Sequence, residues 1–286
     1  MSRKETTDEQ RQNINVRHEL NEDIDKYLRW YEEQVDVQGC LDRHKITAAL
    51  RARMVDWMIE VLTNFRCDDQ TFFLATSLMD RYFKNCYKEK EVSDLHVIGV
   101  TSMFIASKFE DIYPLKMKTV FEKIAHRKLE ISRIKELELD ILGVIHYKIH
   151  APTVLDFLKV YLAEVLGIEI VSRTETKRKE DLALLANNCQ PNREEGKEDE
   201  EKPIPKDLRT QAEKDAQLQN FLIEKMAIYL AKMSMHEISL AVRNPSLLAV
   251  GSIYVSLKIC EQLKKKDLIN SHVVERLISV SRMGED

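Results

Sequence analysis

Glycine and proline are scarce in this chain, whose 286 residues include seven glycines and six prolines. Both residues supply the tight turns that β-rich folds need in large numbers, so their scarcity argues against such a fold. With 44% hydrophobic and 32% charged residues, the chain has enough apolar material for a core and enough charge to stay in solution. The fold class that this composition predicts is all-α.

Signals of secretion, membrane insertion and disulfide bonding are also missing. The polar N-terminus lacks the apolar core of a secretory signal, and no uninterrupted apolar run approaches the length that spans a bilayer. A net charge of −4 gives no sign of attraction to nucleic acid or to a membrane surface. We therefore expect neither partner, and a location in the nucleus and/or the cytoplasm. The cysteines are scattered, which predicts reduced thiols: Cys40, Cys67, Cys86, Cys189 and Cys260.

Motifs of catalysis are absent as well. The sequence has no Gly-rich phosphate loop, nucleophile elbow or set of metal ligands. His146 and His150 lie about one helical turn apart, a spacing that can bind a metal, but no third ligand is evident. We expect no catalytic residue, no metal and no cofactor.

Hydrophobic periodicity is what the sequence does contain. The stretch from His96 to Pro114 is apolar on almost every side, which is typical of a helix enclosed by other helices. Amphipathic helices are predicted around it; they begin near Leu20 and at Thr47, and span Asp69–Asn85, about Met117–Ala125 and about Ile131–Leu142. Residues 20–150 therefore form one helical unit around a central helix.

A second helical unit is predicted over residues 151–286. Thr153 can cap a helix over Val154–Leu166 that Gly167 stops. Further helices are expected from near Leu218, from Asn244, and over about Ser271–Val280. This unit ends after about four helices, which predicts that its last helix is missing or that the chain is a shortened product.

Two segments are too polar to bury a core and are predicted to be disordered. They are residues 1–19 and a charged insertion at about 171–215 that interrupts the second unit. The two units also share a short echo, because Ser102–Lys108 (SMFIASK) aligns with Ser252–Lys258 (SIYVSLK). The echo and the similar helix order suggest two copies of one helical unit.

Several motifs of the first unit resemble the cyclin box of the mitotic A- and B-type cyclins. They are LRARMVDWMIEV, LMDRYF, VIGVTSMFIASKFEDIYP and ELELDILGVIHYKIHAPTVLDFL, preceded by DIDKYLRWYEEQ, which resembles the N-terminal helix of these cyclins. The resemblance implies two tandem cyclin folds, each a five-helix bundle around a central helix. It also implies a regulatory subunit that binds and allosterically activates a cyclin-dependent protein kinase in mitotic cell-cycle control.

The resemblance assigns roles to particular residues. Lys108 and Glu138 match the pair that hydrogen-bonds backbone groups of the kinase. Apolar and aromatic kinase contacts fall on Ile24, Tyr27, Phe109, Leu142, Tyr147 and Ile149. Arg51 and Asp80 match an ion pair inside the box.

The patch at which the family docks Arg-x-Leu substrates is altered in this chain. Its counterparts are Leu50, Arg53, Met54, Trp57 and His96. Arg53 places a charge where an apolar contact is expected, and His96 stands where a Gln is usual, so docking of Arg-x-Leu substrates is in question. A second hypothesis therefore stays open: a cyclin-fold scaffold or structural interaction protein that activates no kinase.

Overall fold

The computed structural model describes residues 23–171, 210–264 and 271–281. The predicted disorder of residues 1–19, and of most of the insertion, lies outside these described residues. The described part of the first unit contains α1 (23–32), α2 (Ala48–Asn64), α3 (Asp69–Asn85), α4 (Val92–Glu110), the short α5 (Met117–Thr119, continued by a π-helical turn over Val120–Ile124) and α6 (Ile131–Val144). The second contains α7 (Val154–Leu166), α8 (Gln211–Ser234), α9 (Ile238–Ala241), α10 (Pro245–Lys264) and α11 (Ser271–Ser281).

Local capping sets several of these boundaries. The Thr47 side chain accepts a hydrogen bond from the backbone N–H of Leu50 and starts α2. Thr153 and Asp156 form a capping box at the start of α7, and Gly167 ends that helix with a φ of 66°. The predicted bounds of α3 and α7 are confirmed. They could be predicted because the residues that cap or stop these helices are recognisable in the sequence.

Two helices begin earlier than the sequence predicted. The central helix α4 starts at Val92 rather than His96, because Glu91 and Asp94 form a capping box that adds a polar first turn. Helix α8 starts at Gln211 rather than near Leu218, so the C-terminal end of the segment predicted to be disordered at about 171–215 is helical. Its first residues form a helix without an apolar stripe, which hydrophobic periodicity cannot detect.

The first unit is built around α4, in which every residue from Val97 to Ser107 is buried. Helix α3 packs along it, and α2 and α6 cover other sides. Gly99 is where α2 approaches α4 most closely, because a Cβ at this position would overlap the Met54 side chain. The expected enclosed central helix is thus confirmed.

The second unit repeats this arrangement around α10, which packs against α7 and α8. The sequence echo reappears here in three dimensions. Lys108 Nζ lies 4.2 Å from the ring centroid of Phe104 on α4, and Lys258 Nζ lies 6.0 Å from that of Tyr254 on α10. By length and composition, Pro245–Leu263 is the one helix among the described residues that could cross a membrane, but 44% of this window is buried. Its packing against α7 and α8 is that of a core helix.

Side chains of the first unit join it to the second at several places, including Gln70, which donates to Thr153 at 3.1 Å, and Asp69, which pairs with Lys232 at 2.6 Å. Arg29 on α1 donates to the Tyr161 hydroxyl at 2.6 Å. Glu32, at the end of α1, accepts from the backbone N–H of Ser246 at 3.0 Å and from its hydroxyl at 2.6 Å, and so caps α10. Another link is made by Arg51, described below. Helix α1 is therefore fixed by the second unit as well as by the first.

Candidate partner-binding surface

The exit of α4 carries the central polar pair of this surface. Asp111 fixes the exit, since its carboxylate accepts from the Ser107 hydroxyl at 2.7 Å and from the backbone N–H of Asp68 at 2.9 Å. Lys108 and Glu138, on α4 and α6, then form an ion pair with each other. Their side chains are 39% and 17% exposed, and burial lowers the pKa of Lys108. The surface thus offers one cation and one anion that are paired at rest but open to solvent.

Exposed apolar side chains occur on α1, at the end of α4 and in the loop after α6. Ile24, Tyr27, Phe109 and Tyr147 are 47%, 53%, 49% and 67% exposed. Leu142 and Ile149 are half-buried and pack against the core. Apolar side chains this exposed are typical of a binding surface when they lie together.

A series of contacts makes these residues one continuous surface. The Tyr31 hydroxyl donates to the backbone carbonyl of His150 at 2.9 Å and ties α1 to the loop after α6. In that loop Tyr147 has a left-handed φ of 58°, and its N–H donates to the carbonyl of Leu142 at 2.8 Å. The Lys108–Glu138 pair then connects α6 to α4.

Sequence reasoning missed aromatic members of this surface. Trp30 is 58% exposed, and its ring centroid lies 6.0 Å from that of Tyr27 and 6.2 Å from that of Tyr31. Tyr113, beyond the exit of α4, is 63% exposed. The adjacent aromatic pair at positions 30 and 31 was the available signal.

The altered docking patch is only partly assembled as an open surface. The rings of Trp57 and His96 contact each other at a tilt, with centroids 5.0 Å apart, and both residues are half-buried, like Leu50. Met54 is buried against α4, so it offers little surface, whereas Arg53 is exposed. Burial, followed by the charges of Lys128 and His126, lowers the pKa of His96. The patch therefore combines two half-buried aromatic rings, Trp57 and His96, with the exposed positive charge of Arg53.

Arg51 and Asp80 form a buried ion pair. Arg51 is fully buried and donates from Nε and Nη2 to the two oxygens of Asp80, at 2.7 and 2.5 Å. Its Nη1 donates to the backbone carbonyl of Met235, at the end of α8, at 2.7 Å. Burial, and then the Asp80 charge, raise the pKa of the nearby Cys40 thiol to about 12. Arg51 thus holds α3 and the second unit to α2.

Metal ligands are not assembled among the described residues, where no group of three His, Cys, Asp or Glu side chains is positioned to hold an ion. Within the weak His146–His150 pattern, the ring of His150 lies 6.2 Å from that of Tyr31, and His146 is exposed. The pair belongs to the loop after α6, beside the aromatic residues of α1.

Comparison with known proteins finds a family model that matches the first unit. Residues 23–150 match the family model of the cyclin N-terminal domain. Those residues are therefore similar to the N-terminal domain of cyclins. The match covers α1 to α6 and the loop that carries Tyr147 and Ile149, so the candidate surface lies on the cyclin box itself.

Curated relatives resemble the same part of the chain. The G2/mitotic-specific cyclin-B1 of Oryzias latipes is 32% identical over 142 residues, which are 49% of this chain and 34% of that protein. The G2/mitotic-specific cyclin-B3 of Mus musculus is 34% identical over 140 residues, which are 10% of its length. The predicted resemblance to B-type cyclins is confirmed, while the matched region spans about a third or less of these relatives.

A solved structure extends the likeness of fold to both units. The viral cyclin from herpesvirus saimiri aligns with a TM-score of 0.57 and 16% identity, over 91% of this chain and 95% of that one. At this identity the likeness concerns the fold alone. The predicted all-α cyclin fold is confirmed, and the missing last helix of the second unit stays a prediction.

Proposed function

We propose that this chain is the regulatory subunit of a cyclin-dependent protein kinase, and that the surface around Lys108 and Glu138 binds and activates that kinase. The observation that carries the proposal is that this partly exposed pair shares the region similar to a cyclin box with the exposed apolar side chains of α1, α4 and the loop after α6. We place its action in mitotic cell-cycle control, in the nucleus and/or the cytoplasm, because its relatives are G2/mitotic-specific cyclins.

The resting pair is suited to an exchange of partners. Ion pairs at the protein surface contribute about 0.2–1 kcal/mol, so breaking the partly exposed Lys108–Glu138 pair costs little. Lys108 can then donate to a backbone carbonyl of the kinase, and Glu138 can accept from a backbone N–H. Hydrogen bonds to charged groups contribute about 1.5–3 kcal/mol each, which exceeds what the pair gives up.

Activation follows from preferential binding. A protein kinase transfers phosphate only when its β3 lysine and αC glutamate are paired. A partner shifts that equilibrium only if it binds the assembled state better than the open one. Here the apolar residues supply the contact area and the charged pair fixes the register. The mechanism needs no catalytic group on this chain, and it makes the chain a regulator rather than an enzyme.

The test is co-purification with a cyclin-dependent kinase, followed by a histone phosphorylation assay. We expect Lys108→Ala combined with Glu138→Ala to weaken kinase binding by about tenfold or more, because charge-assisted hydrogen bonds are lost. Lys118→Ala with Glu136→Ala is the matched control, since both residues are exposed on α5 and α6. If the first double variant binds kinase as the unaltered chain does, the assignment of the surface is wrong.

A cyclin-fold scaffold is the second candidate. It is favoured by the exposed Arg53, which places a charge in the patch where the family docks substrates. An assembly in which another protein covers Lys108 and Glu138 would support it. So would kinase binding without any rise in histone phosphorylation.

A further inference from the structure

A second polar feature lies beside the candidate surface. It is an open crevice of about 340 Å³ between the end of α1, the end of α3 and the loop after α6. We call it the basic crevice, and its charged and aromatic lining includes Tyr31, Asp36, Arg81, Lys84, His146 and Lys148. Its volume falls within the range of small-ligand sites in proteins.

Arg81 in this lining is a buried cation without an anion. It is 7% exposed, and its Nη atoms donate to the backbone carbonyls of Ile149, at 3.0 Å, and Lys148. No carboxylate pairs with it among the described residues, in contrast to Arg51. Burial lowers the pKa of Arg81. A buried charge that lacks an opposite charge is unfavourable, so an anion bound beside Arg81 would relieve a real electrostatic cost.

Arg81 also has a donor left for such an anion. Its Nε makes no hydrogen bond among the described residues. The fully buried side-chain atoms without partners there belong to Asp25, Thr71 and Ser102, so this Nε is not fully sealed from solvent. Since Arg81 lines the crevice, Nε is available to a ligand inside it.

The other charges of the crevice indicate how much negative charge it would hold. Lys84 pairs with Asp36 at 3.0 Å, and the Gln38 backbone N–H and then Lys84 lower the pKa of Asp36 and keep it ionised. Lys148 is exposed and has no ion-pair partner among the described residues. With three cations, one carboxylate and His146 counted as neutral, the lining carries two net positive charges. A phosphate group near pH 7 carries about −1.5 to −2, which matches this excess, whereas a carboxylate would balance half of it.

We propose that the basic crevice binds a phosphate dianion, with Arg81 at its buried wall and Lys148 at its mouth. Two sources have this chemistry: inorganic phosphate, and a phosphorylated side chain of another protein. A phosphorylated side chain of another protein can reach the crevice because Lys148, which lines it, is exposed and lies between Tyr147 and Ile149 of the candidate surface. The site is argued from its own lining and does not depend on kinase binding.

The test is isothermal titration of the free chain at pH 7.5 and low salt with three probes. They are inorganic phosphate, N-acetyl-O-phosphoserine amide and acetate. We expect saturable binding of at least one phosphate probe and at least tenfold weaker binding of acetate. Lys148→Glu should weaken the phosphate probe at least tenfold, and Lys123→Glu, an exposed charge reversal on α5, should leave it unchanged.

The outcomes separate the sources and can refute the site. Tighter binding of inorganic phosphate identifies a free anion as the ligand, whereas tighter binding of the phosphoserine probe identifies a phosphoprotein. The proposal is overturned if neither phosphate probe binds, if acetate binds equally well, or if Lys148→Glu binds phosphate as the unaltered chain does. Circular dichroism of both variants excludes misfolding, and Arg81 itself is left intact because it holds the loop after α6.

Discussion

Two ion pairs of the first cyclin fold use similar chemistry for opposite purposes. Arg51 and Asp80 are sealed in the core, where two hydrogen bonds between them and a third to Met235 use the guanidinium on both sides. Lys108 and Glu138 share one contact at the surface, with the lysine side chain 39% exposed. The first arrangement holds elements together. The second keeps two charged groups close to a place where a partner can take them over.

The buried pair gives the largest expected effect. Arg51→Ala should lower the free energy of unfolding by about 3–5 kcal/mol, because it leaves the Asp80 charge buried and unpaired. Urea denaturation measures the change. Lys45→Ala is the control, since Lys45 pairs with Glu91 at 2.6 Å on the surface, where solvent screens the pair and its loss should change stability far less. If Arg51→Ala lowers the free energy of unfolding as little as the control does, Arg51 does not hold the two units together.

Glu110, the last residue of α4, is intermediate between the two pairs. Its carboxyl group is half-buried and forms no ion pair among the described residues. Burial, and then the charge of Asp156, raise its pKa to about 7 against the opposing effect of Lys159. The folded chain therefore binds more protons than the unfolded chain between pH 4.5, the ordinary value, and about 7. The contribution of Glu110 to stability accordingly falls as pH rises through this window.

Glu110→Gln should remove this dependence. We expect the variant to be more stable than the unaltered chain above pH 7, and the gain to vanish below pH 4.5. Thermal unfolding across this pH range measures it, with Glu136→Gln on the exposed side of α6 as the control. A gain that is the same at pH 5 and pH 8 would exclude titration of Glu110 as the cause.

The exposed pair should give the smallest change in stability. Lys108→Ala with Glu138→Ala is expected to alter the free energy of unfolding by less than about 1 kcal/mol, since an exposed pair contributes little. Urea denaturation provides the comparison with Arg51→Ala. A loss of several kcal/mol would mean that this pair holds the fold, and it would weaken any interpretation of the kinase-binding assay.

The sequence predicted most where signals were local and least where they were not. Thr153, Asp156 and Gly167 mark both ends of α7 within a short stretch, so its bounds could be stated in advance. The polar first turn of α4 was missed because periodicity detects only an apolar face. The early start of α8 was missed for the same reason.

The candidate surface shows the same limit. The resemblance to cyclins supplied Lys108 and Glu138 one residue at a time, but not their contact with each other across two helices. The third partner of Arg51 is a backbone carbonyl, which every residue except the last possesses, so no side-chain pattern could point to Met235. The basic crevice was not foreseen either, because its lining comes from three separate segments.

The bond from Arg51 to Met235 has a consequence for synthesis. Its two residues are 184 positions apart in the chain. At about 5–20 residues per second, the ribosome adds Met235 roughly 10–40 s after Arg51. During that interval the first cyclin fold can close over Arg51 and Asp80, but one guanidinium nitrogen must find water in place of its final acceptor. The nascent first fold therefore keeps a hydrated polar group at this face until α8 and Met235 have been synthesised.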